Sequence, residues 1–198
     1  MKLVLATQNP KKLKEMNEIL SHLGVEVVSE AELGVRIEVE ETGETFTDNA
    51  RLKATAVMQA TGLPAVADDS GLCVDALNGG PGVYSARFGG EGLDDKGRYT
   101  LLLEMLRGQT DRTAHFHTSI VCAFPNSDEL VCEGECPGTI AFAPMGEGGF
   151  GYDPVFFVPE LRKTFGQLTA EEKASVSHRG KALRAFAAAL DDYLKGNE

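Results

Sequence analysis

The chain has 198 residues, with 19 lysines and arginines against 30 aspartates and glutamates and a formal net charge of −11. Hydrophobic residues make up 42% and charged residues 25%, which is ordinary for one globular domain and excludes a disordered or fibrous chain. The negative charge argues against a broad surface for nucleic-acid backbone, and no stretch approaches the about 20 apolar residues that span a bilayer. We therefore expect one cytoplasmic domain over residues 1–198.

The first half of the sequence alternates between strand and helix patterns. An apolar run predicts a strand over 2–6, and Asn9, Pro10 and Gly24 are typical of the start and end of the helix that follows it. Residues 29–46 are acidic and irregular. The other predicted elements of this half are a strand over 25–28, a helix over about 47–61, a strand over 65–67 that ends in the turn sequence Asp68-Asp69-Ser70-Gly71, and a further strand over 72–74.

The second half contains a run of strand patterns between helices. Six glycines and one proline in residues 78–92 predict a long loop. Thr169 and Glu172 form a capping-box pattern, and Ser177 can cap the last helix. Two βα-like segments followed by a run of strands predict a mixed-sheet α/β fold. The other predicted elements are a helix over 94–107, strands over 113–124, 129–136 and 139–143, a glycine-rich loop over 146–152, and an apolar run over 154–158.

The segment between the first strand and the first helix, residues 7–12, is a candidate anion site. A helix start presents free N–H groups and a partial positive charge. Lys11, Lys12 and Lys14 lie near this start, where cations are unfavourable unless an anion is bound, and phosphate is the usual anion at such places. A βα turn with solvated lysines explains the same residues. The segment is not a P-loop, because the Gly-x-x-x-x-Gly-Lys-Ser/Thr pattern is absent.

An acidic segment, residues 68–71, is a candidate metal site, with Glu40 and Glu41 upstream. Adjacent carboxylates repel each other but become favourable around a divalent cation. Mg²⁺ takes oxygen ligands from one or two carboxylates and retains waters and substrate phosphates. A carboxylate beside the metal could also deprotonate a water molecule. The alternative is an acidic turn in an acidic protein.

A glycine-rich loop and the start of the last helix supply aromatic and cationic side chains. Phe150 lies between glycines and could stack on a base, while Asp153 offers a hydrogen-bond acceptor. His178 and Arg179 fall in the first turn of the last helix, and the planar fork of Arg179 suits a keto oxygen or a phosphate. The alternatives are a flexible turn with Phe150 in the core and an exposed helix cap.

Cysteine and histidine spacing raises the question of a zinc site. Cys132 and Cys136 lie four residues apart, and His115 and His117 lie upstream. The Cys-x-x-Cys pairs of common zinc modules are absent, and both cysteines fall on one face of a predicted strand, where cysteine often acts as a small hydrophobic residue. The sequence therefore favours structural roles for these residues.

Four motifs in order resemble the inosine triphosphate pyrophosphatase family, in its bacterial dITP/XTP pyrophosphatase branch. The resemblance covers residues 1 to about 195. It implies an α/β fold with a mixed central sheet flanked by helices, two lobes around a substrate cleft, and a homodimer. It also implies Mg²⁺-dependent hydrolysis of ITP, dITP or XTP to the monophosphate and pyrophosphate. The motifs are Thr7-x-Asn9-x-x-Lys12, Ala67-Asp68-Asp69-Ser70-Gly71-Leu72, Gly149-Phe150-Gly151-Tyr152-Asp153-Pro154 and Ser177-His178-Arg179.

The resemblance also implies a role for each matching residue. Asp69 would be the catalytic general base and, with Glu40, would hold Mg²⁺. Lys12, Asp69 and Arg179 are expected to share one opening. The implied substrate-binding residues are Thr7, Gln8, Asn9, Pro10, Lys11, Lys12, Lys53 (in the pattern Asn49-x-x-x-Lys53) and Ser70, and, around the base, Phe150, Gly151, Tyr152, Asp153, Lys173, His178 and Arg179.

Two alternatives to this function stay open at the level of the sequence. One is a pyrophosphatase of related fold with another base preference, such as a modified pyrimidine or dTTP. The other is a nucleotide-binding sensor without turnover, although such a sensor has little need for the Asp68–Asp69 pair beside a lysine.

Overall fold

The computed structural model describes residues 1–7 and 9–196, so the predicted substrate-binding residue Gln8 lies outside the described residues. Short 3₁₀ helices occur at Ser21–Leu23, Ala31–Leu33, Asp75–Leu77, Gly82–Arg87 and Phe165–Gln167. The helices are α1 (Pro10–Leu20), α2 (Phe46–Thr61), α3 (Asp95–Met105), α4 (Ala170–Val176) and α5 (His178–Gly196). The strands are β1 (Lys2–Leu5), β2 (Glu26–Ser29), β3 (Ala65–Val74), β4 (Thr113–Ala123), β5 (Glu129–Ile140), β6 (Phe156–Val158) and β7 (Lys163–Thr164).

The strands form a sheet in the order β2-β1-β3-β4-β5-β6-β7. Strand β1 pairs in parallel with both β2 and β3, whereas β6 pairs antiparallel with both β5 and β7. Parallel and antiparallel pairings in one sheet, with helices flanking it, confirm the predicted mixed-sheet α/β fold.

The helix signals in the sequence act as predicted. Asn9 caps α1 by accepting a hydrogen bond from the Lys11 N–H at 2.9 Å, and Pro10 occupies the first helical position. Gly24 ends the following 3₁₀ turn in the left-handed conformation, with φ of +64°, which glycine adopts without strain. Thr169 and Glu172 form the predicted capping box of α4, which confirms that pattern.

The predicted turn at residues 68–71 is wrong, because β3 runs without a break from Ala65 to Val74. Aspartate, serine and glycine have low strand propensity, but pairing within a sheet overrides such preferences. Val4 and Leu5 of β1 set the register by pairing with Ala65 and Val66. Because side chains alternate along a strand, the continuous strand directs neighbouring aspartates to opposite faces.

The predicted break between the strands at 129–136 and 139–143 is also wrong, because β5 continues through Pro137 and Gly138 to Ile140. A β-carbon at Gly138 would lie 2.6 Å from both the Phe156 ring and the Phe157 carbonyl oxygen. Glycine at this position therefore allows the close approach of β6.

The predicted long loop over 78–92 contains a 3₁₀ helix at Gly82–Arg87. Buried Ser85 fixes this helix, because its hydroxyl oxygen accepts a hydrogen bond from the Leu72 N–H at 2.9 Å. This segment is ordered by contacts to β3, which no local sequence pattern indicates.

The chain divides into two compact units, each assembled from separate segments. The first comprises Met1–Asp69, Thr118–Gly134 and Lys181–Glu198, and the second comprises Ser70–His117 and Glu135–Gly180. A single domain over residues 1–198 remains a prediction. Along the described part of the chain, none of the helices has the length and apolar composition needed to cross a membrane.

Each unit has its own hydrophobic core. In the first unit α5 packs on the core with the predicted apolar stripe, of which Phe186 and Leu190 are fully buried. In the second unit the core is rich in aromatic rings, with Phe116 and Phe165 stacked at 5.6 Å between centroids. The buried side chains at the centre of the first core are Leu3, Leu5, Met16, Leu20, Val66, Ile120, Phe186 and Leu190.

Candidate active site

The start of α1 has the features of the predicted anion site. The Thr7 hydroxyl oxygen accepts a hydrogen bond from the Asn9 N–H at 3.2 Å, which orders the chain before the helix. Pro10 and Lys11 are exposed, and the first turn of α1 holds no acidic residue. The positive end of this helix is therefore open to an anionic ligand.

Lys12 forms an ion pair with Asp68, with Nζ 2.8 Å from the carboxylate oxygen. The side chain of Asp68 is only 4% exposed, whereas that of Lys12 is 30% exposed. Because an unpaired buried carboxylate is strongly unfavourable, Asp68 holds the lysine in place. The exposed part of Lys12 can still meet a further anion.

A second lysine, Lys53 of α2, connects the acidic segment before α2 to β3. Its Nζ lies 2.7 Å from Glu41 Oε1 and 3.5 Å from Asp69 Oδ1. Burial opposes the charged form of Lys53, but the charges of Asp69 and Glu41 outweigh burial, and the pKa of Lys53 is raised. The lysine therefore stays protonated between two carboxylates.

Asp69 is half-buried, and burial raises the pKa of its carboxyl group. The ammonium group of Lys53 opposes this shift, while the negative charge of Glu41 adds to it. A carboxylate with a raised pKa accepts a proton more readily, which suits a general base.

Asn49 of α2 contacts both Asp69 on β3 and the acidic segment before α2. No role for it was predicted from the sequence. Its Nδ2 donates a hydrogen bond to Asp69 Oδ2 at 3.2 Å, and its Oδ1 accepts one from the Gly43 N–H at 2.8 Å. The side chain is fully buried. We call Glu41, Asn49, Lys53 and Asp69 the carboxylate–lysine group.

The oxygen ligands of this group fit Mg²⁺ in part. Glu41 and Asp69 converge on one cationic centre, Lys53 Nζ, and Mg²⁺ requires only one or two carboxylates because waters and phosphates complete its coordination. Over the residues that the structure describes, no three histidine, cysteine or acidic side chains are grouped as a metal site. Glu40 is exposed, and its neighbour Glu41 is the residue that contacts Lys53, so Glu40 as a metal ligand remains a prediction.

In the second unit, Phe150, Asp153 and Lys173 form the Phe150–Lys173 group. Lys173 Nζ makes a short ion pair with the buried Asp153 carboxylate and lies 4.7 Å from the centre of the Phe150 ring. Burial raises the pKa of Asp153, although Lys173 opposes the shift. The Phe150 ring is 75% exposed, which contradicts the alternative that it belongs to the core.

The loop that carries Phe150 is fixed by its own backbone and by neighbouring elements. Asp153 accepts a hydrogen bond from the Phe150 N–H at 2.9 Å, and Asp95 of α3 accepts one from the Gly151 N–H at 2.7 Å. Tyr152 is buried and its hydroxyl donates to the Ser85 carbonyl oxygen at 2.8 Å. The ring of Tyr152 therefore anchors the loop, whereas the ring of Phe150 is exposed to solvent.

The start of α5 places His178 and Arg179 in the first helical turn, as predicted. Ser177 caps the helix by accepting a hydrogen bond from the Gly180 N–H at 3.1 Å. The His178 ring stacks on Phe116 at 4.6 Å between centroids. Both residues are half-buried, so packing fixes their position within the second unit.

The two cysteines of the candidate zinc spacing, Cys132 and Cys136, are buried and take part in core packing. Cys132 belongs to the core of the first unit and Cys136 to that of the second. His115 Nε2 lies 3.4 Å from Glu135 at a half-exposed position.

The structure thus brings predicted residues together within each of the two units. In the first unit Lys12 meets Asp68, and Lys53 meets Asp69; in the second, Phe150, Asp153 and Lys173 meet. Ser70 is exposed on β3. That Lys12, Asp69 and Arg179 share one opening remains a prediction. No role was predicted for Asn49, although the pattern Asn49-x-x-x-Lys53 places both side chains on one face of α2.

An α/β protein that sets lysines and carboxylates in one unit and an exposed aromatic ring beside a lysine in the other has the features of a nucleotide-binding protein. The sequence matches the Ham1 family over residues 3–189, and the chain belongs to this family. Together with relatives that are named dITP/XTP pyrophosphatase, this match confirms the resemblance drawn from the four motifs.

Relatives with assigned names support the same placement. A dITP/XTP pyrophosphatase of Exiguobacterium sp. is 50% identical and covers 99% of this chain and 100% of its own length. One from Desulforamulus reducens is 54% identical over 93% of this chain and 92% of its own length. The structure is similar to that of the Staphylococcus aureus Ham1 protein, with a TM-score of 0.91, 41% identity and full coverage of both chains.

Proposed function

We propose that this protein is a nucleoside-triphosphate pyrophosphatase that hydrolyses the non-canonical purine nucleotides ITP, dITP and XTP to the monophosphate and pyrophosphate. The observation that carries the proposal is the position of Lys53 Nζ between Glu41 and Asp69, at 2.7 and 3.5 Å. This arrangement pairs a proton-accepting carboxylate, that of Asp69, with a cation suited to phosphate, that of Lys53. The chain is also 50% identical to a dITP/XTP pyrophosphatase.

In the proposed reaction, Asp69 accepts a proton from a water molecule whose oxygen forms a bond to the α-phosphorus. The bond between the α-phosphorus and the oxygen that bridges to the β-phosphorus breaks, and its electron pair leaves with pyrophosphate. Lys12 and Lys53 bind the phosphates and balance the negative charge of the leaving group. Positioning and electrostatic stabilisation supply most of the catalysis in such a reaction.

Bound Mg²⁺ would supply further positive charge to the phosphates, as an ion of this kind does in phosphoryl transfer. Asp69 is the residue expected to hold it, together with Glu40 or its neighbour Glu41. The half-buried carboxylate of Asp69, next to the negative Glu41, suits a divalent cation because such an ion relieves their mutual repulsion.

Base selectivity is assigned to the Phe150–Lys173 group together with Arg179. Phe150 would stack on the purine, since its ring is exposed. Hypoxanthine and xanthine carry a keto oxygen at position 6, whereas adenine carries an amino group there. A hydrogen-bond donor such as Arg179 can pair with the keto oxygen but not with the amino group. A donor left without its partner can lower the specificity constant for the analogue by a factor of about 10⁴–10⁵ in favourable cases.

The test is pyrophosphate release from ITP, dITP, XTP, GTP, ATP and dTTP, with Mg²⁺ and with EDTA. We expect ITP, dITP and XTP to be the preferred substrates and EDTA to stop the reaction. Equal or faster turnover of ATP contradicts the base selectivity, and preference for dTTP supports the alternative pyrophosphatase. Tight ITP binding without pyrophosphate release would identify a sensor instead.

A further inference from the structure

We propose that Asn49 is a positioning residue that fixes the carboxylate of Asp69 and ties it to the Glu40–Gly43 segment. The inference rests on the proposed function, in which Asp69 is the general base. The family resemblance and the sequence motifs assign Asn49 no role; its contacts and its burial suggest one.

The orientation of the Asn49 amide follows from its partners. The Gly43 N–H is a donor, so only the Asn49 carbonyl oxygen can face it, at 2.8 Å. The amide nitrogen is thereby directed at Asp69 Oδ2, at 3.2 Å. Because Asn49 is fully buried, water cannot replace either hydrogen bond without rearrangement, and losing one is costly.

The two oxygens of Asp69 are held by two residues of α2. Asn49 donates to Oδ2, and Lys53 approaches Oδ1 at 3.5 Å. The two residues are four apart and therefore lie on one face of the helix. Two contacts on different oxygens restrict rotation of the carboxylate plane, which one contact alone does not do.

Gly43 allows the acidic segment to approach Asn49 closely. A β-carbon at Gly43 would lie 2.6 Å from the Asp48 β-carbon and 2.7 Å from Asn49 Oδ1. The absence of a side chain at this position lets the segment that contains Glu41 dock onto the start of α2. Asn49 thus couples the position of this segment to that of Asp69.

The kinetic test compares Asn49→Ala with Asn17→Ala. Asn17 is a matched control because its amide, on α1, donates to the backbone oxygens of Leu13 and Val27 at 3.2 and 3.1 Å. For Asn49→Ala we expect kcat for ITP to fall by about 10- to 100-fold, as for partners that orient a reactive group, while KM stays within about 3-fold. For Asn17→Ala we expect kcat and KM near the wild-type values.

Equal kcat values for Asn49→Ala and Asn17→Ala would overturn the proposal. If Asn49→Ala does not fold, Asn49→Asp gives the same comparison. Aspartate retains an oxygen acceptor for the Gly43 N–H, replaces the donor that faces Asp69 and adds a negative charge there, so its control is Asn17→Asp.

A second test measures melting temperatures at pH 8 in EDTA and needs no activity. Asn49→Asp sets a carboxylate against Asp69, and we expect the melting temperature to fall by about 3–10 °C. In the Asn49→Asp background, Asp69→Asn restores the hydrogen bond with the donor and the acceptor exchanged between positions 49 and 69. It should therefore raise the melting temperature by several degrees more than it does in the wild type. The same effect in both backgrounds would show that the two side chains are not coupled, and the proposal would be wrong.

The two tests separate the inference from the proposed function. If the wild type releases no pyrophosphate from any triphosphate, the proposed function fails, while the melting temperatures still decide whether Asn49 and Asp69 are coupled. If the wild type is active and the two residues are uncoupled, only the role of Asn49 fails.

Discussion

At the scale of single residues, the protein holds opposite charges close together in partly buried positions. Lys12 is paired with Asp68, and Lys53 lies between Glu41 and Asp69. Such pairs compensate burial but contribute less to stability than apolar packing of the same volume would. Residues of this kind in a globular protein are consistent with selection for a reaction rather than for stability.

We expect Asp69→Asn to abolish most turnover while making the fold more stable at neutral pH. Loss of a general base lowers kcat by about 10²–10⁴-fold. The folded-state pKa of Asp69 is raised by burial, so its ionisation destabilises the fold, and this cost appears as the pH rises through the raised pKa. Asparagine has no ionisable carboxyl group, so the Asp69→Asn variant does not lose stability in this way as the pH rises.

The measurement is the melting temperature of both proteins in EDTA between pH 4 and pH 8. The difference between the melting temperatures of Asp69→Asn and the wild type should grow as the pH rises. It should shrink as the pH falls towards the ordinary aspartate pKa of about 3.9. A variant that melts below the wild type at pH 8 would contradict the assigned cause of the shift.

At the scale of elements, the candidate side chains come from a strand, a helix and a loop, since Asp69 lies on β3, Lys53 on α2 and Phe150 on the loop before β6. The loop before β6 exposes Phe150 but anchors itself through buried Tyr152. Gly149 is required in this loop, because a β-carbon there would lie 1.9 Å from a carboxylate oxygen of Asp153. The loop therefore exposes the Phe150 ring while the contacts of Tyr152 and Asp153 hold its backbone in place.

We expect Phe150→Ala to raise KM for ITP by about 5- to 100-fold, since stacking of a base on an aromatic ring contributes about 1–3 kcal/mol. The melting temperature should stay near the wild-type value because the ring is 75% exposed. The measurement is steady-state kinetics with ITP together with thermal unfolding.

Phe142→Ala is the matched control for Phe150→Ala. Phe142 is 83% exposed and also has a cation over its ring, the Arg112 guanidinium at 4.5 Å, but it belongs to none of the predicted motifs. We expect this variant to retain the wild-type KM. A common change in both variants would indicate a general effect of removing surface aromatics and not base stacking.

At the scale of the whole molecule, the family resemblance predicts a homodimer acting in the cytoplasm. Several large apolar side chains are exposed, among them Tyr84 and Met105, and such residues favour association between protein surfaces. The prediction is a sedimenting mass of twice the 21.2 kDa of one chain at micromolar concentration. A mass of one chain under these conditions would contradict it.

The local features of this protein follow from the order of its residues. Caps such as Asn9, Thr169 and Ser177 act within three residues, and the apolar stripe of α5 depends only on helical period, so both can be recognised in the printed sequence. The four motifs likewise led to the family, because they require only residue identity and order.

Packing in three dimensions sets the strands that contradict local propensity and the contacts that join distant segments. Strand β3 continues through Asp68 to Gly71 because sheet pairing outweighs the turn preference of these residues. Lys12 and Asp68 lie 56 positions apart, and Asn49 and Asp69 lie 20 apart. Hydrogen bonds and ion pairs depend on distance in space, and only the packing of α1 and α2 against the sheet brings these side chains within reach.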